Sequence, residues 1–203
     1  MDKYTFRNHQ IKRTCNKKYK DYHGYLPFLL EDFSRHCCYC NVSEKTLDIA
    51  SFQIDHFVPE HTFEGIRDEL LTQYDNLMLS CPKCNRAKSD QFEGDIASPS
   101  IENNLFYNPD TTDYNSIFYR NELGGISSDD AKGKDMIRRL RLYRPLHNYA
   151  WVLEKLDIII ARLDKQIECS AGEQKENLQL LQGKMMAKHY RMRAHFVAAY
   201  RQK

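Results

Sequence analysis

Two Cys-x-x-Cys pairs are the residues of this sequence best suited to metal chemistry. They are Cys37 with Cys40 and Cys81 with Cys84, in a chain that holds seven cysteines. Two intervening residues allow both thiolates of a pair to reach one tetrahedral ion at about 2.3 Å, so the four cysteines predict one structural Zn²⁺. The odd count, without an export signal, argues against a disulfide framework.

The three other cysteines are weaker candidates. Cys38 lies next to Cys37 and two residues before Cys40, and it is an alternative ligand. Chelation by Cys-x-Cys is sterically tighter and rarer, which favours Cys37 with Cys40. Cys15 and Cys169 have no partner at ligand spacing, and we interpret them as ordinary small residues.

A second set of chemically useful residues lies between and just after the cysteine pairs. Asp55 and His56 end a predicted strand, and Asn85 stands in the first turn of a predicted helix. Asp55 and Asn85 offer oxygen ligands for a hard divalent cation. An imidazole beside such an ion can take a proton from an attacking water, which is the chemistry of phosphodiester hydrolysis. Neighbours in a strand point to opposite faces, so this convergence needs a twist at the strand end.

The hydrophobic pattern predicts the elements that must position these residues. We expect helices over 26–35, around 66–71 and from Pro82 to about Ser89, strands over 50–57 and 76–80, and a hairpin around Gly124-Gly125. Pro82 fits the first position of its helix, since that position needs no backbone N–H.

The last quarter of the chain predicts a helical hairpin over residues 146–203. Seven apolar residues fall at alternating spacings of three and four along its first helix: Leu146, Tyr149, Leu153, Leu156, Ile160, Leu163 and Ile167. Ser170 and Glu173 fit a capping box, which predicts that a second helix begins there. The apolar residues of that helix occupy more than one face, so one face is expected to remain open to a partner.

Charge is strongly segregated along the 203 residues. The segments 1–24, 132–144 and 177–203 are rich in Lys and Arg, whereas residues 40–80 carry an excess of acids. Basic segments around a metal-binding centre favour a phosphate-bearing partner such as nucleic acid. The hydrophobic fraction of 41% excludes a disordered chain. The longest apolar runs are five residues and the first residues lack an apolar signal core, so we expect a cytoplasmic protein.

Taken together, these residues resemble a known motif. The series Cys37-x-x-Cys40, Asp55-His56, Asn76 and Cys81-x-x-Cys84-Asn85-x-x-Lys88 resembles the HNH endonuclease motif in its zinc-stapled ββα-metal, or His-Me finger, form.

The resemblance implies a role for each matching residue. His56 would be the general base, and Asp55 and Asn85 would hold one catalytic Mg²⁺ or Mn²⁺ ion. Asn76 would brace the loop between the strands, and Lys88 would support the site or touch phosphate. His61 is the nearest auxiliary candidate.

A narrower resemblance concerns the residues after the motif. The segments 106–110, Gly124-Gly125 and 140–145 are similar to parts of small bacterial HNH nucleases of Septu and retron phage-defence systems. This resemblance implies a bacterial source, an ABC-type ATPase partner, possible association with a retron, and DNA or tRNA as substrate.

We therefore predict an α+β protein with three parts: a basic, loosely structured arm over 1–24, an HNH core over 25–130 and a helical region over 131–203. Its predicted activity is metal-dependent cleavage of nucleic acid. Two alternatives remain open, a non-catalytic zinc module that binds nucleic acid or protein, and a zinc hydrolase of small substrates. The first needs none of Asp55, His56 and Asn85, and the second lacks a three-histidine or His-Glu-x-x-His set.

Overall fold

The computed structural model describes residues 3–47 and 51–202, which combine helices with small sheets as in an α+β protein. The chain divides into two compact units, Met1–Tyr143 and Arg144–Lys203. The finer boundaries at residues 24 and 130 stay predictions.

The first unit contains six helices and five strands within its described residues. The helices are α1 (Leu26–Asp32), α2 (Glu44–Leu47), α3 (Glu60–Phe63), α4 (Pro82–Lys88), α5 (Tyr114–Ile117) and α6 (Ala131–Arg139); the strands are β1 (Tyr4–Thr5), β2 (Gln53–His56), β3 (Leu77–Ser80), β4 (Tyr119–Arg120) and β5 (Ile126–Ser127). Short 3₁₀ turns cover Tyr22–Tyr25, Asp68–Leu71 and Tyr74–Asn76.

The ββα frame consists of β2, β3 and α4. The two strands pair antiparallel, with His56 opposite Leu77 and Gln53 opposite Ser80. Every residue of β3 is buried, which matches its continuous apolar sequence. Pro82 occupies the start of α4, as predicted. The strand prediction over 50–57 is confirmed for Gln53–His56, while Ala50 lies outside the described residues.

Two predicted helices are shorter than expected. The helix beginning at Leu26 ends at Asp32, because Ser34 and Arg35 adopt left-handed backbone angles, with φ of 50° and 56°. The stretch predicted around residues 66–71 forms only a 3₁₀ turn over Asp68–Leu71. Leu70 in this turn is fully buried against Val58 and Phe63, so packing of the loop overrides the α-helical pattern.

The N-terminal arm has little regular secondary structure, but its described residues are anchored to the rest of the first unit. β1 pairs antiparallel with β4, which in turn pairs with β5 in the predicted Gly124-Gly125 hairpin. Phe6 is buried between the rings of Tyr114 and Phe118. The Arg13 guanidinium donates to the carboxylate of Asp110 at 2.9 Å and to the carbonyl of Leu77. These contacts anchor the arm, although residues 10–19 contain no regular secondary structure.

The second unit is the predicted helical hairpin, in which α7 (Pro145–Glu168) packs against α8 (Gly172–Arg201). All seven residues of the predicted seam on α7 are buried or half-buried. The predicted capping box does not form. The hydroxyl of Ser170 donates to the carbonyl of Gln166 in α7, and Gly172 begins α8 with a φ of +55°. The side chain of Ser170 is thereby engaged at the end of the preceding helix.

Among the described residues, no helix is both long enough and apolar enough to cross a membrane.

Candidate active site

The four predicted zinc ligands come together in the first unit. The sulfur atoms of Cys37, Cys40, Cys81 and Cys84 all lie within 4.8 Å of one another, and all four residues are buried. The Sγ atoms of Cys40 and Cys81 are 3.8 Å apart, about the edge of a tetrahedron with Zn–S bonds of about 2.3 Å. The cluster therefore fits one tetrahedral Zn²⁺.

Local backbone geometry builds the first cysteine pair into a turn. The backbone amide of Cys37 donates to the carbonyl of Val42, and the amide of Asn41 donates to the carbonyl of Cys37. Asn41 adopts a left-handed backbone conformation with a φ of 61°. The amide of Cys38 donates to the carbonyl of Leu79 in β3 at 2.8 Å. These bonds attach the turn to the sheet, while the second pair lies at the start of α4. A zinc ion on the four cysteines would thus hold the first cysteine turn, β3 and α4 together.

The buried thiols of the cysteine turn differ in the direction in which their pKa is shifted. Burial raises the pKa of Cys38 well above its ordinary value, as expected for an apolar thiol. Burial also acts to raise the pKa of Cys37, but hydrogen bonds from neighbouring thiols outweigh it and place that pKa well below its ordinary value. The pKa values of Cys40 and Cys84 are raised like that of Cys38, so the thiolate, which is the form that binds zinc, is favoured at Cys37 within the cluster.

Two buried arginines hold the turn of the first cysteine pair from outside. Arg7 donates from Nη2 to the carbonyl of Cys38, and Arg120 donates from Nη2 to the carbonyl of Cys40, each at 2.7 Å. The two side chains are 6% and 3% exposed. A zinc ion with four thiolates carries two excess negative charges, so the two guanidinium groups balance the charge of the loaded site.

His56 is half-buried between aromatic rings at the end of β2. The Tyr22 and Phe63 rings both meet the imidazole edge-on, with centroid distances of 4.9 and 5.8 Å. Its Nε2 lies 3.0 Å from the carbonyl oxygen of Leu71. Because a carbonyl can only accept, Nε2 must carry the proton, and the neutral ring keeps its lone pair on Nδ1. The geometry thus orients His56 with Nδ1 as the basic atom.

Asp55, the strand residue before His56, forms a buried ion pair with Lys88 of α4. Lys88 Nζ donates to Asp55 Oδ1 at 3.1 Å and to the carbonyl of His56 at 2.6 Å. The Tyr39 hydroxyl donates to Asp55 Oδ2 at 2.5 Å. Burial and the Asp55 carboxylate raise the pKa of Tyr39 well above its ordinary value, so the phenol stays a donor. Tyr39 lies inside the first cysteine pair and connects the zinc turn to Asp55. Sequence reasoning missed this link, because no spacing rule joins residues 39 and 55.

Asn85 makes its side-chain hydrogen bond to Gln53 rather than to Asp55 or Lys88. Its Nδ2 donates to Gln53 Oε1 at 3.0 Å, in a partly exposed position. The bond uses the amide nitrogen and not the oxygen that a hard cation would need. The oxygens of Asp55 each accept one hydrogen bond, and a carboxylate oxygen offers two lone pairs. By donor type, Asp55 and Asn85 therefore offer oxygen atoms of the kind that a hard divalent cation prefers.

Asn76 fastens the long loop between β2 and β3. Its Oδ1 accepts from the amide of Val58 at 2.8 Å, and its Nδ2 donates to the carbonyls of Val58 and Leu70. The side chain is fully buried. These bonds hold the loop that supplies the Leu71 carbonyl to His56. His61 is exposed on α3 in the same loop.

Comparison with known proteins agrees with this geometry. A four-cysteine cluster on a ββα frame, with a histidine at the end of the first strand, defines a zinc-stapled ββα domain. Residues 37–91 match the family model of the HNH endonucleases, and the cluster fits a zinc-stapled domain of that kind. No curated protein and no solved structure gave a significant match.

Proposed function

We propose that the chain is a metal-dependent HNH endonuclease that hydrolyses phosphodiester bonds in DNA or RNA. The observation that carries the proposal is the bond from His56 Nε2 to the Leu71 carbonyl, which leaves Nδ1 as a proton acceptor beside the zinc-stapled frame. The match of residues 37–91 to the HNH endonuclease model supports the same reaction class.

Each part of the site has a task in this reaction. His56 takes a proton from the attacking water through Nδ1. Asp55 and Asn85 would hold one Mg²⁺ or Mn²⁺ ion, which when bound stabilises negative charge on phosphoryl oxygens. Lys88 and Tyr39 fix the orientation of the Asp55 carboxylate through two hydrogen bonds. Cys37, Cys40, Cys81 and Cys84 would hold a structural zinc that fastens α4, and with it Asn85, to the sheet.

The test is cleavage of plasmid DNA and total tRNA, in added Mg²⁺ or Mn²⁺, by the native chain and two histidine variants. His56→Ala is expected to lose about 10²- to 10⁴-fold in rate, the usual contribution of a general base, with zinc content unchanged. The matched control is His61→Ala, which removes an exposed histidine of the same loop and should cut normally. Full activity in His56→Ala would assign the base to another residue, with His61 first in line. A chain that cuts neither substrate would favour the non-catalytic zinc module.

We further propose that the nuclease acts in bacterial phage defence with an ABC-type ATPase partner. Support comes from the resemblance of the segments after the motif and from exposed apolar side chains on α8. Leu180, Met186 and Tyr190 are 60%, 55% and 78% exposed. Co-expression with an ATPase encoded beside the gene is expected to give a complex that Met186→Ser/Tyr190→Ser weakens and Lys175→Ser does not. Equal recovery of both variants would place the docking surface elsewhere.

A further inference from the structure

We propose that residues 17–23 form a binding subsite for an unpaired nucleotide beside His56, which makes single-stranded nucleic acid the substrate class. The inference rests on the proposed nuclease function and concerns residues outside the segment 37–91 that matches the family model. Its basis is a stack of rings that runs from the candidate base outward to solvent.

The rings are arranged as a platform. The His23 ring stacks on Tyr22 with centroids 4.1 Å apart and planes at 26°, and Tyr22 meets His56 edge-on at 4.9 Å. The His23 side chain is 69% exposed, so the outermost ring of the series is accessible. A nucleobase stacks well on such a ring, whereas a paired base inside a duplex has both faces covered.

The platform is held in place before any ligand arrives. Asp21 caps the 3₁₀ turn Tyr22–Tyr25 by accepting from the backbone amide of His23 at 2.9 Å. The same carboxylate oxygen lies 2.7 Å from His23 Nδ1, which fixes the orientation of the ring. A fixed ring loses little conformational entropy when a base stacks on it.

An open cavity connects the platform to the candidate metal ligand. It has a volume of about 320 Å³ and is lined by Tyr22, His23, Gln53 and Asn85 together with apolar residues. This volume is in the range of small-ligand pockets. A base on the platform would thus lie next to the site where its neighbouring phosphate reacts.

The chain that leads to the platform is basic. Lys17, Lys18 and Lys20 are exposed, and Lys17 and Lys18 line a second open cavity of about 460 Å³ that also includes Tyr25 and Gln73. The turn Tyr22–Tyr25 contributes residues to both cavities. Exposed ammonium groups beside a stacking platform are the usual means of following a single-stranded backbone.

Fluorescence anisotropy without added divalent ions tests the subsite, using labelled oligo(dA) and oligo(A) of about 16 nucleotides and a duplex of equal length. Single strands should bind more tightly than the duplex. His23→Leu should weaken single-strand binding about 5- to 150-fold, the equivalent of one lost stacked base. The aromatic control Tyr143→Leu, at a residue that is 64% exposed, should bind normally. The better-bound strand identifies DNA or RNA as the source of the nucleotide.

The lysines are tested through the salt dependence of binding. Replacing Lys17, Lys18 and Lys20 together by Gln should reduce the slope of log K against log salt by about 2, at about 0.7 per phosphate contact. The charge-matched control replaces the exposed Lys45, Lys134 and Lys175 and should keep the slope.

Normal binding by both the His23→Leu and lysine variants, or equal affinity for duplex and single strands, would overturn the proposal, as would absence of binding by a zinc-loaded native chain. Binding that depends on His23 in a chain that cuts nothing would keep the subsite and reject the nuclease. Cleavage that depends on His56 but not on His23 would support the nuclease and reject the subsite.

Discussion

At the scale of single residues, the chemistry depends on how a few polar groups are buried. His56 is directed by one backbone carbonyl, and Asp55 is directed by one tyrosine and one lysine. The carbonyl fixes which nitrogen of His56 is basic, and the tyrosine and lysine fix the orientation of the Asp55 carboxylate. In water neither side chain would be restricted in this way.

The hydroxyl of Tyr39 is expected to stabilise the fold and position Asp55. Tyr39→Phe removes a hydrogen bond to a buried carboxylate, so we predict a loss of about 1.5–3 kcal/mol in the free energy of unfolding. The matched control is Tyr114→Phe, since the buried Tyr114 hydroxyl donates to a neutral carbonyl of Tyr107. That bond is worth about 0.5–1.5 kcal/mol. Urea unfolding of both variants measures the difference. A smaller effect at Tyr39 than at Tyr114 would show that Asp55 does not need this donor.

The separate residue motifs were predictable from sequence, but the contacts among them were not. Two Cys-x-x-Cys pairs constrain their own geometry, so the zinc cluster follows from spacing alone. The carbonyl of Leu71 and the phenol of Tyr39 come from positions without any motif, and packing of the loop and the zinc turn places them. Periodicity finds elements, whereas partners across them depend on the tertiary fold.

At the scale of elements, the zinc cluster replaces a larger apolar core between the first cysteine turn, β3 and α4. A zinc site with four cysteine ligands contributes about 10–16 kcal/mol of apparent binding free energy, comparable to the whole stability of a domain. Cys81→Ser is therefore expected to unfold the frame, and Cys169→Ser, at an exposed cysteine, should leave it intact. Elemental analysis should find about one zinc per native chain. A folded preparation free of zinc would contradict the assignment.

The contact between the N-terminal arm and the first cysteine turn predicts an acid-sensitive element. Desolvation, with His36 and Arg7 nearby, lowers the pKa of His9 to about 4, and its ring lies against that of His36, tilted by 34° with centroids 4.7 Å apart. The unfolded chain binds a proton near pH 6.5, earlier than the folded chain, so stability falls as pH drops from about 6.5 towards 4.

His9→Gln removes this titration and should flatten the acid side of the stability curve relative to the native chain. The comparison isolates His9 from acid loss of zinc, which affects both chains alike. His61→Gln, at an exposed histidine, is the control and should follow the native curve. Parallel curves for the native chain and His9→Gln, measured by chemical unfolding between pH 4 and 7, would rule out the effect.

At the scale of the whole molecule, the two units contain different functional features. The first contains the zinc cluster, His56 and the proposed subsite, and the second contains exposed apolar and basic residues on α8. A chain ending at Tyr143 is therefore predicted to keep one zinc and His56-dependent cleavage. Elemental analysis and the plasmid assay check this. Loss of zinc on truncation would show that the helical hairpin stabilises the nuclease unit.

The arginines that hold the first cysteine turn also affect the order in which the protein can assemble during synthesis. Arg7 is made before the cysteines, but Arg120 follows Cys40 by 80 residues. At about 5–20 residues per second, the second guanidinium is synthesised about 4–16 s after Cys40. All four thiolates are already present by then, so zinc would bind to a nascent chain whose negative charge is only half balanced. We expect stalled chains of about 130 residues, in which the four cysteines but not Arg120 have left the ribosome, to release zinc to a chelator faster than stalled chains of about 170. Equal release rates would mean that the chain retains zinc without the β4–β5 hairpin. The expected difference would mean that zinc is held firmly only after β4 and β5 have been synthesised.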